Sequence, residues 1–163
     1  HAAEPCHIQS GNVSCGSGIV ETVFGNGVVN LRGTHVQGNT HVNGYLSAKS
    51  VVFQGLKVNG SVHLSECILR DNAQIRGKLE ASSTLFKSNL NLRSEEVTLI
   101  KKSRVSGDVY FHKSTENKQV LILEGKSKVM GNVIFSDGKG KVITHGYSKV
   151  LGKIIGGKLI KKW

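Results

Sequence analysis

Ser103-Arg-Val-Ser-Gly-Asp-Val109 returns as Ser127-Lys-Val-Met-Gly-Asn-Val133 and again as Ser148-Lys-Val-Leu-Gly-Lys-Ile154. Each heptapeptide consists of Ser, a basic residue, Val, any residue, Gly, any residue and an aliphatic residue. Three copies in one register indicate an internal repeat, and a repeat governs the whole fold because each copy forms one structural unit.

The centre of this motif, an aliphatic residue two positions before a glycine, also occurs earlier in the chain. The steps from Val42 onward are 16, 17, 15, 15, 24 and 21 residues. A second apolar patch recurs between the copies, for example at Val51-Val52-Phe53 and at Cys67-Ile68-Leu69. The earlier copies are Val36-Gln-Gly38, Val42-Asn-Gly44, Val58-Asn-Gly60 and Ile75-Arg-Gly77, and Leu90-Asn-Leu92 occupies the same position without Gly.

The length and composition of these patches favour short strands. Each patch is rich in Val and Ile and alternates apolar with polar residues, which is typical of a strand, and no long helical pattern separates the patches. A repeat of roughly 16–20 residues fits three short strands joined by tight corners, with successive coils stacked about 4.8 Å apart. We therefore predict an all-β, single-domain parallel β-helix (β-solenoid) of about seven short coils. An antiparallel β-sandwich, whose strands also recur at short intervals, remains the alternative.

The solenoid is predicted over residues 28–155, between two terminal segments. Residues 1–27 are expected to form an N-terminal leader or cap, and residues 156–163 a basic C-terminal tail that caps the last coil, since open solenoid ends expose strand edges. The pattern from Val36 to Leu46, together with Gly60 to Leu64, resembles the bactofilins, which are polymer-forming bacterial β-helices. This resemblance of repeat grammar covers roughly residues 28–160. It implies a β-helix and, as an alternative function, a self-assembling envelope scaffold.

The N-terminal residues predict export. The segment His1-Ala-Ala-Glu-Pro-Cys6 is typical of what remains after a signal peptidase has cut. Cys6 and Cys15 are placed to form a disulfide, which is typical of exported proteins. Cys67 lies in a strand-like run and is predicted to be a free, buried thiol. No apolar run approaches the roughly 18 residues that cross a bilayer, so no transmembrane segment is predicted. The expected location is therefore secreted or periplasmic.

Positive charge is concentrated in the second half of the chain. Residues 1–80 carry 6 Lys/Arg and 5 Asp/Glu, whereas residues 81–163 carry 16 and 6, so most of the net charge of +11 lies in residues 81–163. Such asymmetry favours an anionic partner, here an acidic polysaccharide, lipopolysaccharide or lipid headgroups. Nucleic acid is disfavoured, because aromatic residues that could stack on bases make up only 6% of the chain. Self-association is the alternative that the bactofilin resemblance implies.

The basic residues follow the repeat. In a stack of coils, the residues that precede the repeated aliphatic position should form one outward row: His35, His41, Lys57, Gln74, Asn89, Arg104, Lys128 and Lys149. We predict a polyanion-binding row in the last coils, and the alternative is that these charges only keep the surface soluble. The candidate ligand-binding residues are Lys102, Arg104, Lys126, Lys128, Lys149 and Lys153.

Catalytic chemistry finds little support in the sequence. The seven histidines lack the spacing of a helical zinc site, and the carboxylates, including Glu95, Glu96 and Glu116, are scattered. We therefore predict no catalytic residues, no metal site and no cofactor. A polysaccharide-active solenoid enzyme is the alternative, together with copper chelation by an N-terminal His1.

The cysteine assignments can be checked by mass spectrometry. Alkylation of the unfolded protein without reductant should modify one thiol, Cys67, because Cys6 and Cys15 are joined; alkylation after reduction should modify all three. Three modified cysteines without reductant would contradict the disulfide and weaken the case for export.

Overall fold

The computed structural model describes residues 5–114 and 118–163, so His1 and Glu116 lie outside the described residues. All regular secondary structure within these ranges is β-strand. In chain order the strands are β1 (Cys6–Gln9), β2 (Asn12–Cys15), β3 (Gly18–Val20), β4 (Val23–Arg32), β5 (Thr34–Val36), β6 (Asn39–Lys49), β7 (Val52–Phe53), β8 (Gly55–Ser65), β9 (Ile68–Leu69), β10 (Ala73–Arg76), β11 (Leu79–Ser82), β12 (Leu85–Phe86), β13 (Leu90–Arg93), β14 (Glu96–Ile100), β15 (Arg104–Val105), β16 (Val109–Phe111), β17 (Gln119–Leu123), β18 (Lys128–Val129), β19 (Val133–Phe135), β20 (Gly140–His145), β21 (Lys149–Val150), β22 (Ile154–Ile155) and β23 (Gly157–Lys162).

The chain is a parallel β-solenoid of about nine coils. Each strand pairs in parallel with its counterpart in the next coil, and among the described residues only β1 pairs antiparallel, with β2. The β-sandwich alternative is therefore wrong. The coil number exceeds the predicted seven because β2 and β3, and at the other end β23, belong to the stack.

Three faces, which we name A, B and C, make up each coil. Face A contains the first halves of β4, β6 and β8, followed by β10, β13, β16, β19 and β22. Face B contains β2, the second halves of β4, β6 and β8, and then β11, β14, β17, β20 and β23. Face C is a separate eight-stranded sheet of β3, β5, β7, β9, β12, β15, β18 and β21.

The repeat motif predicts one buried row of aliphatic residues, namely Val36, Val58, Ile75, Val105, Val129 and Val150. The structure divides them between two rows. Val58 and Ile75 lie in register on face A, whereas Val105 and Val129 lie in register on face C. Residues of both rows stand two positions before a glycine, so the motif alone does not distinguish the two faces. The face A row is Val42, Val58, Ile75, Leu92, Phe111 and Phe135, and the face C row is Val36, Phe53, Leu69, Phe86, Val105, Val129 and the partly buried Val150.

The repeated glycines serve two different corners for two different reasons. Gly60, between faces A and B, has a φ of +138°, and a Cβ there would also overlap the carbonyl oxygen of Gly44. Gly131, between faces C and A, needs no positive φ, but a Cβ there would overlap the carbonyl oxygen of Gly107 in the preceding coil. Both corners therefore require glycine, since neighbouring backbones approach too closely for a side chain.

The serine that opens the heptapeptide repeat forms a buried hydroxyl ladder. The backbone N–H of Ser103 donates to Oγ of Ser127 at 3.1 Å, and the N–H of Ser127 donates to Oγ of Ser148 at 3.0 Å. The N–H of Thr84 donates likewise to Oγ of Ser103 at 3.1 Å. All four side chains are buried, so each hydroxyl supplies an acceptor that a buried N–H of the preceding coil requires.

The predicted cysteine chemistry is confirmed. Cys6 and Cys15 form a disulfide that joins β1 to β2, so the antiparallel β1 covers the outer edge of the first parallel strand. Cys67 is a free, buried thiol, and its burial raises its pKa above the usual value. At the other end, the residues expected to form a basic cap lie in β23, which pairs in register with β20 and so continues the stack.

No helix that could span a membrane is found among the described residues.

The hydroxyl ladder predicts that Ser127→Ala destabilises the fold by about 1–3 kcal/mol, because the buried N–H of Ser103 loses its acceptor. Ser106→Ala is the matched control, since Ser106 belongs to the same repeat but is exposed. Urea unfolding followed by circular dichroism measures both. Equal midpoints for the two variants would show that the ladder contributes nothing to stability.

Candidate polyanion-binding surface

Three predicted cationic residues lie side by side on face C. Arg104 pairs in register with Lys128, and Lys128 pairs in register with Lys149. Adjacent strands are about 4.8 Å apart, so the three side chains rise from neighbouring rungs of one sheet. We call Arg104, Lys128 and Lys149 the basic ladder.

Lys128 and Lys149, the two members of the basic ladder nearest the C-terminus, border an open groove of about 520 Å³. Lys126, Lys128 and Lys149 line it together with Lys161, which lies on β23. Two aromatic residues also line it: Tyr147 and Trp163 are 74% and 89% exposed, and their rings meet edge to face with centroids 6.0 Å apart. The remaining lining residues are small, polar or aliphatic: Thr144, Gly146, Ser148, Val150 and Leu159. The groove thus combines four cations with two exposed aromatic rings.

The cations of this surface have no carboxylate partners among the described residues. The ion pairs found there join histidines to carboxylates, His63 to Glu80 and His145 to Glu124, each at 3.6 Å. Neither ion pair involves a residue of the basic ladder, and no acidic residue lines the groove. The positive charge of the basic ladder is therefore not neutralised locally by described residues.

Lys102 and Lys126 occupy the corner that precedes face C. Their φ angles are +61° and +63°, and the N–H of Lys102 donates to the carbonyl of Gly125 at 2.7 Å. Lys102 and Lys126 each stand two residues before a member of the basic ladder, so the alternation of a strand predicts that their side chains point the same way as those of Arg104 and Lys128. The positive φ angles interrupt this alternation, because they turn the chain at the corner. Lys126 nevertheless shares the groove with the basic ladder.

Lys153 lies apart from the basic ladder, at the corner between faces C and A. Its N–H donates to Oδ1 of Asn132 at 2.9 Å, and the N–H of Asn132 donates to Oδ1 of Asp108 at 2.7 Å. In the same way the N–H of Asp108 donates to Oδ1 of Asn89, and the N–H of Asn89 donates to Oδ1 of Asn72. Together these side-chain acceptors form a ladder along the corner. Lys153 thus continues a corner ladder and does not line the groove.

The single outward row predicted from the sequence is divided among several parts of the coil. His41, Lys57 and Gln74 are in register on face A, whereas His35 lies on face C and Asn89 at a corner. Along face C the row below Arg104 is apolar and consists of Leu85, Ile68 and Val52. The basic ladder therefore begins at Arg104.

Face A carries a second group of cations, which the repeat motif did not predict. Arg76 and Arg93 are in register on face A, beside Lys57, Gln74 and Asn91. Their signal is present in the sequence, since both follow a core residue of the face A row at a spacing of 17 residues. The repeat spacing read from the sequence places Leu90 in register with Ile75, whereas the structure places Leu92 there, and this shift hid the pairing of the two arginines.

Within the described part of the chain, no three His, Cys, Asp or Glu side chains come together as a possible metal site. Comparison with known proteins gives no relatives: no family model, no curated protein and no solved structure matches the chain.

The register of the basic ladder predicts that Lys128→Gln raises stability at low salt by about 0.2–1 kcal/mol, because it removes like-charge repulsion from both Arg104 and Lys149. The gain should shrink at high salt, where screening weakens the repulsion. Lys57→Gln is the matched control, since His41 and Gln74 flank Lys57 in register. Thermal unfolding at two salt concentrations measures both, and equal shifts for the two variants would contradict the prediction.

Proposed function

We propose that this protein is an exported, non-catalytic binding module whose basic ladder holds an anionic polymer such as an acidic glycan or lipopolysaccharide. The observation that carries the proposal is the register of Arg104, Lys128 and Lys149 without a described carboxylate within 4 Å of any of them. Like charges directly opposite one another on neighbouring strands destabilise a sheet. An anion that neutralises them offsets this cost, so the ladder is suited to a partner with repeated negative charge.

Multiple weak contacts explain how such a surface could bind. Each exposed ion pair contributes little in water, about 0–1 kcal/mol. A polymer that meets several cations at once makes the later contacts intramolecular, which raises the overall affinity. The regular rise of the coils fixes the distance between cations, and a chain of repeating anionic units can follow that spacing.

The aromatic residues of the groove favour a glycan over a bare inorganic polyanion. Tyr147 and Trp163 are highly exposed beside Lys149 and Lys161, and their rings offer apolar surface with a polar edge. Sugar rings have apolar C–H faces that pack on such surfaces, whereas a bare polyphosphate has none. The combination of cations and exposed rings therefore supports an acidic saccharide.

The disulfide supports the proposed location. Disulfides form and persist in oxidising compartments, and the Cys6–Cys15 bond joins the first two strands. A secreted or periplasmic protein would meet anionic glycans and lipopolysaccharide at the cell envelope, so location and ligand class agree.

The resemblance to bactofilins supports a different role, that of an end-to-end scaffold. Such a polymer would continue the parallel stack from one chain into the next. Here the antiparallel β1 and its disulfide cover the edge of β2, so parallel stacking at that end would require this hairpin to move. We therefore place binding before self-assembly and before a polysaccharide-active enzyme.

Lys128→Glu tests the proposal, because it interrupts the basic ladder at its centre. Binding to immobilised alginate and to lipopolysaccharide should fall at least about tenfold, and wild-type binding should itself weaken steeply between about 50 and 200 mM salt as counterion release loses its effect. Lys139→Glu, in the exposed turn between β19 and β20, matches the change in net charge.

Each result decides between binding and simple solubility. Loss of binding in Lys128→Glu with retention in Lys139→Glu supports the basic ladder as the binding surface. Equal effects of both variants would show that only net charge matters. Degradation of alginate by the wild-type protein would replace the binding role with an enzymatic one.

A further inference from the structure

Face A carries a second polar groove, on a different face of the coil from the basic ladder. It has a volume of about 530 Å³ and crosses four neighbouring coils. Its polar lining contains two guanidiniums, one ammonium and three amides, with a histidine at one end: Arg76, Arg93, Lys57, Asn59, Gln74, Asn91 and His112. No carboxylate is among the lining residues.

The register of the strands arranges four of these residues as a compact array. Arg76 pairs with Arg93, and Gln74 pairs with Asn91, in the same two strands, β10 and β13. Alternate residues of a strand point to the same side, so all four side chains leave face A together. The rungs are about 4.8 Å apart and the two columns about 6.6 Å apart, which matches the footprint of a single sugar ring.

The two guanidiniums lie on adjacent rungs, and no carboxylate lines the face A groove that they border. Nη1 of Arg93 donates to the carbonyl oxygen of Lys113 at 3.2 Å, which uses one of its five N–H donors and holds the group in place. Arg76 and Arg93 also line an adjoining groove together with Glu95 and Glu96.

The column that contains Arg76 and Arg93 continues toward the N-terminal coils as asparagines that are joined by hydrogen bonds. Nδ2 of Asn59 donates to Oδ1 of Asn43 at 2.9 Å, and Nδ2 of Asn43 donates to Oδ1 of Asn26 at 2.9 Å. Asn59 also pairs in register with Arg76, so this ordered ladder ends directly beside the arginines. A preorganised edge lowers the entropic cost of binding.

We propose that face A binds a uronate unit of an acidic glycan. Arg76 and Arg93 would receive the carboxylate, because a planar guanidinium donates two parallel hydrogen bonds to a planar carboxylate. Gln74 and Asn91 would bind ring hydroxyls, since an amide both donates and accepts. This site is independent of the basic ladder: it recognises one sugar unit by geometry, whereas the ladder binds a polymer by summed charge.

The test uses a short oligogalacturonate, observed through the side-chain amide signals of Gln74 and Asn91 in NMR spectra. These signals should shift on titration, and an uncharged glucose oligomer of equal length should leave them unmoved. The double variant Arg76→Lys/Arg93→Lys keeps the charge but removes the paired donors, so affinity read from these signals should fall at least about tenfold. Gln74→Ala, read at Asn91, should weaken binding without any change in charge.

Other outcomes would overturn the site. Unchanged affinity in the double lysine variant would mean that charge alone attracts the ligand. Equal shifts with inorganic phosphate at the same concentration would reduce the site to a simple anion contact. Lys128→Glu should leave the Gln74 and Asn91 response intact, so failure of the basic ladder and failure of this site are distinguishable. Melting temperatures within a few degrees of wild type confirm that each variant is folded.

Discussion

The in-register pairing of each coil with the next is the constraint on which the rest of this structure depends. Once the backbone of one coil is hydrogen-bonded to its neighbour, every position is repeated about 4.8 Å away, and each side chain meets its own counterpart. A residue type that satisfies its counterpart is therefore favoured coil after coil. Buried hydroxyls at Ser103 and Ser127 receive N–H groups from the coil below, and Asn43 and Asn59 bond to one another on the outside. The ladders follow from the register.

The same constraint gives charged positions an unusual cost. On most surfaces two lysines can swing apart, but Lys128 and Lys149 start from adjacent rungs at a fixed spacing. Arg76 and Arg93 are held in the same way on another face. A solenoid therefore concentrates charge only where something offsets the repulsion, and the two grooves bordered by these pairs are where a ligand could do so. One surface offers summed charge, and the other offers directed hydrogen bonds.

The class of fold was predictable from the sequence because the heptapeptide around Val105, Val129 and Val150 repeats in full. The detailed register was not, because an aliphatic residue two positions before glycine marks both the Gly60 corner and the Gly131 corner, although only the first needs a positive φ. Treating both as one repeat position assigned residues of faces A and C to a single row. The adjacency of Arg104, Lys128 and Lys149 survived this error, since all three belong to the same full repeat. The pairing of Arg76 with Arg93 was not predicted, because the coil that contains Leu92 lacks the glycine that marks the motif in the coil of Ile75.

The direction of the hydrogen bonds has a mechanical consequence. In this solenoid the bonds between coils run along the long axis, so tension applied between the two ends pulls on them lengthwise and loads one rung at a time. Such a rod opens by peeling, at low force, from whichever end is less secured. The Cys6–Cys15 bond ties β1 to β2 but not to the next coil. β2 pairs with β4 over three residues, whereas β23 pairs with β20 over six. Under axial load the disulfide-linked hairpin should therefore detach as one unit before the strand that carries Lys161, and a partner that binds across several rungs of one face would oppose this opening.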